Sequence, residues 1–219
     1  MKLSSETLSI LKNFSTINQS LQFKAGKTLR TISPIKSVLA KATLNDEFDR
    51  TFAIYDLPKF LGVVSLFNNP DFEFFDNFVR VSSPGRKVDY MYADPSTLVL
   101  PPERELNIGN ADVEFTLSAA QYTEIMKALG VLSLPDLMIV GEDGNIYLRA
   151  GDSKMKGSNH YDVVIGETEL TFTAVFKTEN LKLAAGRDYD VSISSAGISR
   201  FTSTDVEYFV AIESNSSFS

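Results

Sequence analysis

Cysteine and tryptophan are absent from the 219-residue chain, and histidine occurs once, at His160. Without cysteine there is no disulfide, no thiolate nucleophile and no cysteine-based zinc site. His160 opens a polar-flanked strand with no catalytic companion and reads as a surface or structural residue. No apolar run reaches membrane-spanning length, and Met1 to Glu6 lacks the basic-then-apolar layout of a signal peptide, so the expected compartment is the cytoplasm. Walker-type loops, dinucleotide fingerprints and nucleophile elbows are missing, and Ser9-x-x-Lys12 has the bare spacing of some acylases without their other motifs. Excess positive charge is lacking too. A net charge of −7 and a pI near 4.8 argue against a protein that grips nucleic acid with its whole surface. Asp46, Glu47 and Asp49, and again Asp188 and Asp190, form short acidic runs that read as turns; neither is a full ligand set. The expectation is a binding protein with no catalytic residue, no metal and no cofactor.

What is present is an ordinary globular composition, 43% hydrophobic and 22% charged. Charge is divided unevenly: residues 1–110 carry +1 and residues 111–219 carry −8. Screening over about 10 Å leaves room for one basic face on an acidic molecule. Near the midpoint lies Ala93 to Pro102, which holds three of the eight prolines. Asp94-Pro95-Ser96-Thr97 is turn chemistry, and Pro101-Pro102 keeps Leu98-Val99-Leu100 extended. This is read as an apolar connector between two domains, residues 1–105 and 106–219.

Each half reads as strands interrupted by two helices. In the first, Ser4 or Ser5 caps a helix burying Thr7, Ile10, Leu11, Phe14 and Ile17, whose opposite side presents Ser5, Ser9, Lys12 and Thr16 with no carboxylate at its centre. Short β-rich runs follow from Leu21 to Tyr55, broken at Gly26, Ser33-Pro34 and Asn45-Asp46-Glu47. Asp56 caps a second helix with Pro58 in its first turn and Lys59 outside. A meander through Tyr92 closes the half. In the second half Ser118-Ala119-Ala120-Gln121 has capping-box form, the helix after it ends at Gly130, and Lys127 lies outside. Strands follow to Phe176, then a short helix from Thr178 carrying Lys182, then strands to Ile212. The polar tail Glu213 to Ser219 reads as frayed. The fold class is α+β: two similar domains, each a curved antiparallel sheet with two helices on one face. Unpaired edge strands in such a unit permit head-to-tail association into a ring.

Several blocks, taken together and in order, closely resemble the DNA polymerase sliding clamp of T-even-type bacteriophages. They are Met1-Lys2-Leu3-Ser4, Leu11-Lys12-Asn13-Phe14-Ser15-Thr16-Ile17-Asn18, Ala53-Ile54-Tyr55-Asp56-Leu57, Phe60-Leu61-Gly62, Ser65-Leu66, Ala93-Asp94-Pro95-Ser96-Thr97 and Val210-Ala211-Ile212-Glu213. The resemblance implies a non-enzymatic processivity factor in the host cell cytoplasm: a homotrimeric ring that encircles duplex DNA, tethers the DNA polymerase, is loaded by an ATP-dependent clamp loader and also serves late transcription. It implies that Lys12, Lys59, Lys127 and Lys182 point at phosphate with Ser5, Ser9 and Thr16 between them. Partner peptides would dock at Leu98, Val99 and Leu100 of the connector with Phe209, Ala211 and Ile212 of the last strand. Neighbouring subunits would meet through Val88, Tyr90 and Tyr92 on one edge and Tyr161, Val163 and Ile165 on another. The competing readings are a β-rich virion or assembly protein that oligomerises without DNA, and a metal-dependent enzyme built on Asp188 and Asp190.

Overall fold

The computed structural model describes residues 1–155 and 157–219. The chain divides into two compact units, Met1–Glu103 and Arg104–Ser219. Among the described residues no helix is long and apolar enough to cross a membrane.

In the first unit the Ser4 hydroxyl accepts from the Thr7 amide and starts helix α1 (Ser5–Ile17). The five expected residues form its buried stripe. Strands β1 (Leu21–Phe23), β2 (Gly26–Ile32), β3 (Val38–Phe48) and β4 (Phe52–Ile54) make an antiparallel sheet in the order β4-β1-β2-β3. Asp56 caps α2 (Leu57–Ser65) through the Lys59 amide, with Pro58 in the first turn as its missing donor requires. Strands β5 (Asp71–Phe74), β6 (Phe78–Ser83) and β7 (Arg86–Met91) form a second, three-stranded sheet. An aromatic cluster joins the sheets: Phe23 and Phe52 stack at 4.5 Å, and Phe74 packs on Phe48 and Phe52 at 5.8 and 5.2 Å.

In the second unit β8 (Val113–Leu117) leads into α3 (Ala119–Leu132), capped by a complete Ser118–Gln121 capping box. Then come β9 (Asp136–Glu142), β10 (Asn145–Gly151), β11 (Tyr161–Glu167), β12 (Phe172–Lys177), β13 (Tyr189–Ser194), β14 (Ile198–Thr202), β15 (Val206–Ala211) and β16 (Ser217–Phe218). They form one antiparallel sheet in the order β15-β14-β13-β8 and another in the order β11-β10-β9-β12-β16. Buried Asp136 anchors the start of β9, accepting from Lys177 Nζ at 2.5 Å and from the amide and hydroxyl of Ser153.

The α+β class and the antiparallel strands agree with expectation, and five details are corrected. Each unit has two sheets rather than one. The Asn45-Asp46-Glu47 segment is not a turn: β3 runs through it to Phe48, and the Asp46 carboxylate accepts from the amide and hydroxyl of Ser4 at 2.8 and 2.7 Å. Helix α3 continues past Gly130 to Leu132, closing at Ser133 in the left-handed region (φ 52°), where the Leu134 amide reaches the Leu129 carbonyl. The fourth helix is a single 3-10 turn, Thr178–Asn180. Beyond it tyrosines take the main-chain groups a helix would use: Tyr122 Oη donates to the Leu181 carbonyl, Tyr189 Oη donates to the Ala184 carbonyl, and Tyr208 Oη accepts from the Ala184 amide. Finally, the polar tail is tied down. Ser217 and Phe218 pair with Thr173 and Phe172, and the two Phe rings stack at 5.9 Å.

Candidate nucleic-acid interface

Three helix faces carry exposed lysines. On α1 the side opposite the buried stripe presents Ser5, Ser9, Lys12 and Thr16, as the spacing requires. The hydroxyls are partly committed: Thr16 Oγ1 donates to the Asn13 carbonyl at 2.7 Å, and Ser5 Oγ donates to Glu6 at 3.1 Å. Lys12 is exposed and forms no ion pair among the described residues. Its chain borders a cavity of about 160 Å³ shared with Leu8 of α1 and Leu61 and Val64 of α2. That cavity brings Lys12 of α1 against Leu61 and Val64 of α2, and Lys59, elsewhere on α2, is also exposed. Lys127 is exposed on α3. The same face of α3 holds Glu124, whose carboxylate accepts from Tyr161 Oη at 2.5 Å, which raises the Tyr161 pKa. Lys182 differs from expectation. It follows the 3-10 turn rather than lying on a helix, and it is half-buried and engaged with neighbours.

Of the residues expected at subunit contacts, Val88 and Tyr90 lie on β7 and Tyr161, Val163 and Ile165 on β11, while Tyr92 follows the end of β7; β7 pairs only with β6 and β11 only with β10 among the described residues. Their side chains serve mainly their own unit. Tyr90 Oη donates to the Asp56 carbonyl at 3.1 Å, and its ring meets Phe60 at 5.2 Å. Tyr92 stacks on Phe52 at 4.9 Å, and burial pushes its hydroxyl pKa up to about 12. Val88, Val163 and Ile165 are half-buried. What remains unused on both strands is the outer row of main-chain donors and acceptors.

The connector is extended and pinned at three points. Asp94 caps a 3-10 turn over Pro95–Thr97, accepting from the Ser96 amide, which holds its carboxyl below the usual range. Asn18 Nδ2 donates to both the Ile32 and Val99 carbonyls, at 2.8 and 3.3 Å. Glu103 pairs with Lys24 at 2.7 Å. Of the six residues expected to receive peptides, Leu98 and Leu100 are half-buried, Val99 is exposed, Phe209 is buried, and Ala211 and Ile212 are half-buried. Phe209 is core. Leu100 borders a cavity of about 230 Å³ on the outer side of the β1–β2 hairpin, with Lys24, Lys27, Arg30 and Glu103. Sequence reasoning missed Ile35, 73% exposed in the turn directly after Ile32. An isoleucine in a Ser-Pro turn was the available signal.

Comparison with known proteins places this geometry. Residues 114–214 match the family described as gp45 sliding clamp, C terminal, and residues 4–73 match the DNA polymerase processivity factor family. The chain is 34% identical to the sliding clamp of Vibrio phage KVP40, covering 97% of this chain and 99% of the relative. It is 28% identical to the sliding clamp of Enterobacteria phage T4, over 99% and 98% of the two chains. Among solved structures, A. fulgidus PCNA, in a structure with the C-terminal region of FEN-1, superposes with a TM-score of 0.72 at 14% identity, covering 98% of both chains. The Helicobacter pylori beta clamp, bound to a DNA ligase peptide, has a TM-score of 0.72 at 15% identity, covering 98% of this chain and 65% of that one. The fold is that of the DNA clamps, and the chain belongs to the sliding-clamp family of DNA polymerase processivity factors.

Proposed function

We propose that three copies of the chain close head to tail around duplex DNA and tether the replicative polymerase without catalysing a reaction. The observation that carries the ring is an open antiparallel edge in each unit, β7 in the first and β11 in the second. Joining β7 of one copy to β11 of the next satisfies both rows of free main-chain groups, and repeating a heterologous contact with the right rotation closes a ring. The two units, with the boundary between them near residues 103–105, are then the N- and C-terminal clamp domains. Lys12, Lys59 and Lys127 supply a sparse cationic lining. Sparse contact suits sliding, because a non-specific phosphate hold with a dissociation constant of about 10⁻⁴ to 10⁻⁶ M breaks readily while topology prevents escape.

A closed ring admits circular DNA only after opening, which is the task of a separate ATP-dependent loader. Polymerase and other replication proteins dock by short peptides beside the connector. Exposed Val99 and Ile35, at the corner tied by Asn18, support that placement, and peptide binding itself is in keeping with A. fulgidus PCNA bound to the C-terminal region of FEN-1 and the H. pylori beta clamp bound to a DNA ligase peptide. Late-transcription factors use the same outer surface. The working compartment is the host cytoplasm, in keeping with the phage relatives. The test is molar mass by light scattering across a dilution series. A mass about three times the 24.2 kDa subunit is expected. A monomer at every concentration, unchanged by loader, ATP and circular duplex DNA, refutes the ring.

A further inference from the structure

The cavity at the β1–β2 hairpin combines several cations with an apolar wall on an acidic chain. Lys24, Lys27 and Arg30 line it against a single carboxylate, Glu103, with Leu100 and Pro101 as an apolar wall. Arg30 lies on the sheet face opposite Leu29, which is buried in the core. Its Nε is buried without a hydrogen-bond partner. A buried guanidinium nitrogen left unpaired favours any ligand that brings an acceptor. Glu103 is 86% exposed and Lys24 52%, so their ion pair is a weak surface pair that a competing carboxylate can replace. Lys24, and more distantly Arg30, hold the Glu103 carboxyl below its ordinary range. Gly26, at φ 108°, makes the turn that brings Lys24 and Lys27 to the same cavity; a side chain there would be strained.

We propose that this cavity is a second docking subsite that takes an acidic peptide segment, a carboxylate flanked by an apolar side chain, and that Glu103 is its resident competitor. The incoming carboxylate displaces Glu103 from Lys24 and meets the Arg30 fork, while the apolar neighbour packs on Leu100 and Pro101. A planar guanidinium recognises a carboxylate bidentately, and a cavity of about 230 Å³ has the scale of one or two side chains. A nucleic acid backbone would instead call for an extended row of exposed cations. The inference deepens the partner-docking part of the proposed function and is independent of ring closure.

The experiment titrates the full-length ¹⁵N-labelled protein with acetyl-Leu-Asp-Leu-amide, up to about 10 mM given the weak affinity expected of a fragment. Amide shifts are expected at Gly26 to Arg30 and at Leu100 and Glu103. The Leu-Asn-Leu analogue should bind about tenfold more weakly. Glu103→Gln should tighten binding about two- to fivefold by removing the competitor, and Lys24→Gln and Arg30→Gln should each weaken it. Lys24 is exposed, so its variant keeps the test valid if Arg30→Gln fails to fold. Absence of shifts, equal shifts with the Asn analogue, or no gain in Glu103→Gln overturns the proposal. So does a short single-stranded oligonucleotide that moves the same amides at lower concentration than the peptide. Light scattering on the same samples separates the two readings. A ring-sized mass without peptide shifts removes this subsite alone, and a monomeric mass with the shifts present removes the ring alone.

Discussion

Charge reversal at Lys12 tests the lining most directly. The residue sits in mid-helix on the exposed face of α1, with no ion pair among the described residues, and Lys and Glu have similar helix propensity. Lys12→Glu should therefore leave thermal stability within about 0.5 kcal/mol of the parent. Its effect on DNA follows from counterion release. A lysine held against one phosphate contributes about 0.9 to the slope of log affinity against log salt, which at 0.15 M is about 1 kcal/mol, or fivefold in affinity. In a three-subunit ring up to three such contacts disappear together, so the slope should fall by as much as about 2.7, before any repulsion from the introduced carboxylates. The assay is retention on nicked circular duplex between 50 and 300 mM salt, roughly the range over which such electrostatic terms change most, with loader and ATP present. Lys36→Glu, on the exposed β2–β3 turn, is the control and should leave the slope unchanged. Equal slopes for the parent and Lys12→Glu would refute the placement of α1 on the DNA side.

Other perturbations probe the scaffold. Asp46→Ala removes two hydrogen bonds to Ser4 and should cost about 1–3 kcal/mol at pH 7. Burial alone would raise the Asp46 carboxyl, but bonds from Thr7 and Ser4 outweigh it and hold the folded pKa below its usual value. The stabilisation is thus complete above the unfolded pKa of about 3.9 and lost as pH falls through the lower folded value, so the gap between urea melts of parent and variant should narrow progressively once pH falls below about 4. A gap that does not narrow at all as pH falls from 5 to 2, roughly the range spanning the unfolded pKa, would contradict that account. Gly141→Ala places a methyl 2.5 Å from both the Leu170 carbonyl oxygen and the Phe172 ring, and should destabilise by about 1–3 kcal/mol in thermal melts. Phe218→Ala removes the stacked partner of Phe172 and should cost about 1 kcal/mol while speeding exchange of the Ser219 amide, which donates to Thr171. Unchanged exchange would mean that β16 holds without its aromatic anchor.

Much of this arrangement was legible because it rests on local chemistry. Ser4, Asp56 and Ser118 with Gln121 are capping residues at helix starts, and the apolar spacing after each determined which side is buried and hence which lysine is exposed. Asp94-Pro95 marked the connector for the same reason. The readings that failed depended on residues far away in the chain. Asn45-Asp46-Glu47 has turn composition, yet Asp46 is held in a strand by Ser4, forty-two residues earlier. The segment from Thr178 reads as a short helix, yet Tyr122, Tyr189 and Tyr208 bind its main chain, and Lys182 sits on no helix. The tail is polar, but Phe172 gives it a partner.

By itself, then, the sequence determined the α+β class, the three capped helices, their exposed lysine faces and the connector, since capping, periodicity and proline geometry act over a few residues. Only the tertiary structure decided which tyrosines are turned inward. It alone gathered Lys24, Lys27, Arg30 and Glu103 around one cavity. Those outcomes depend on long-range pairing and on competition for main-chain hydrogen bonds, neither of which a local residue pattern encodes.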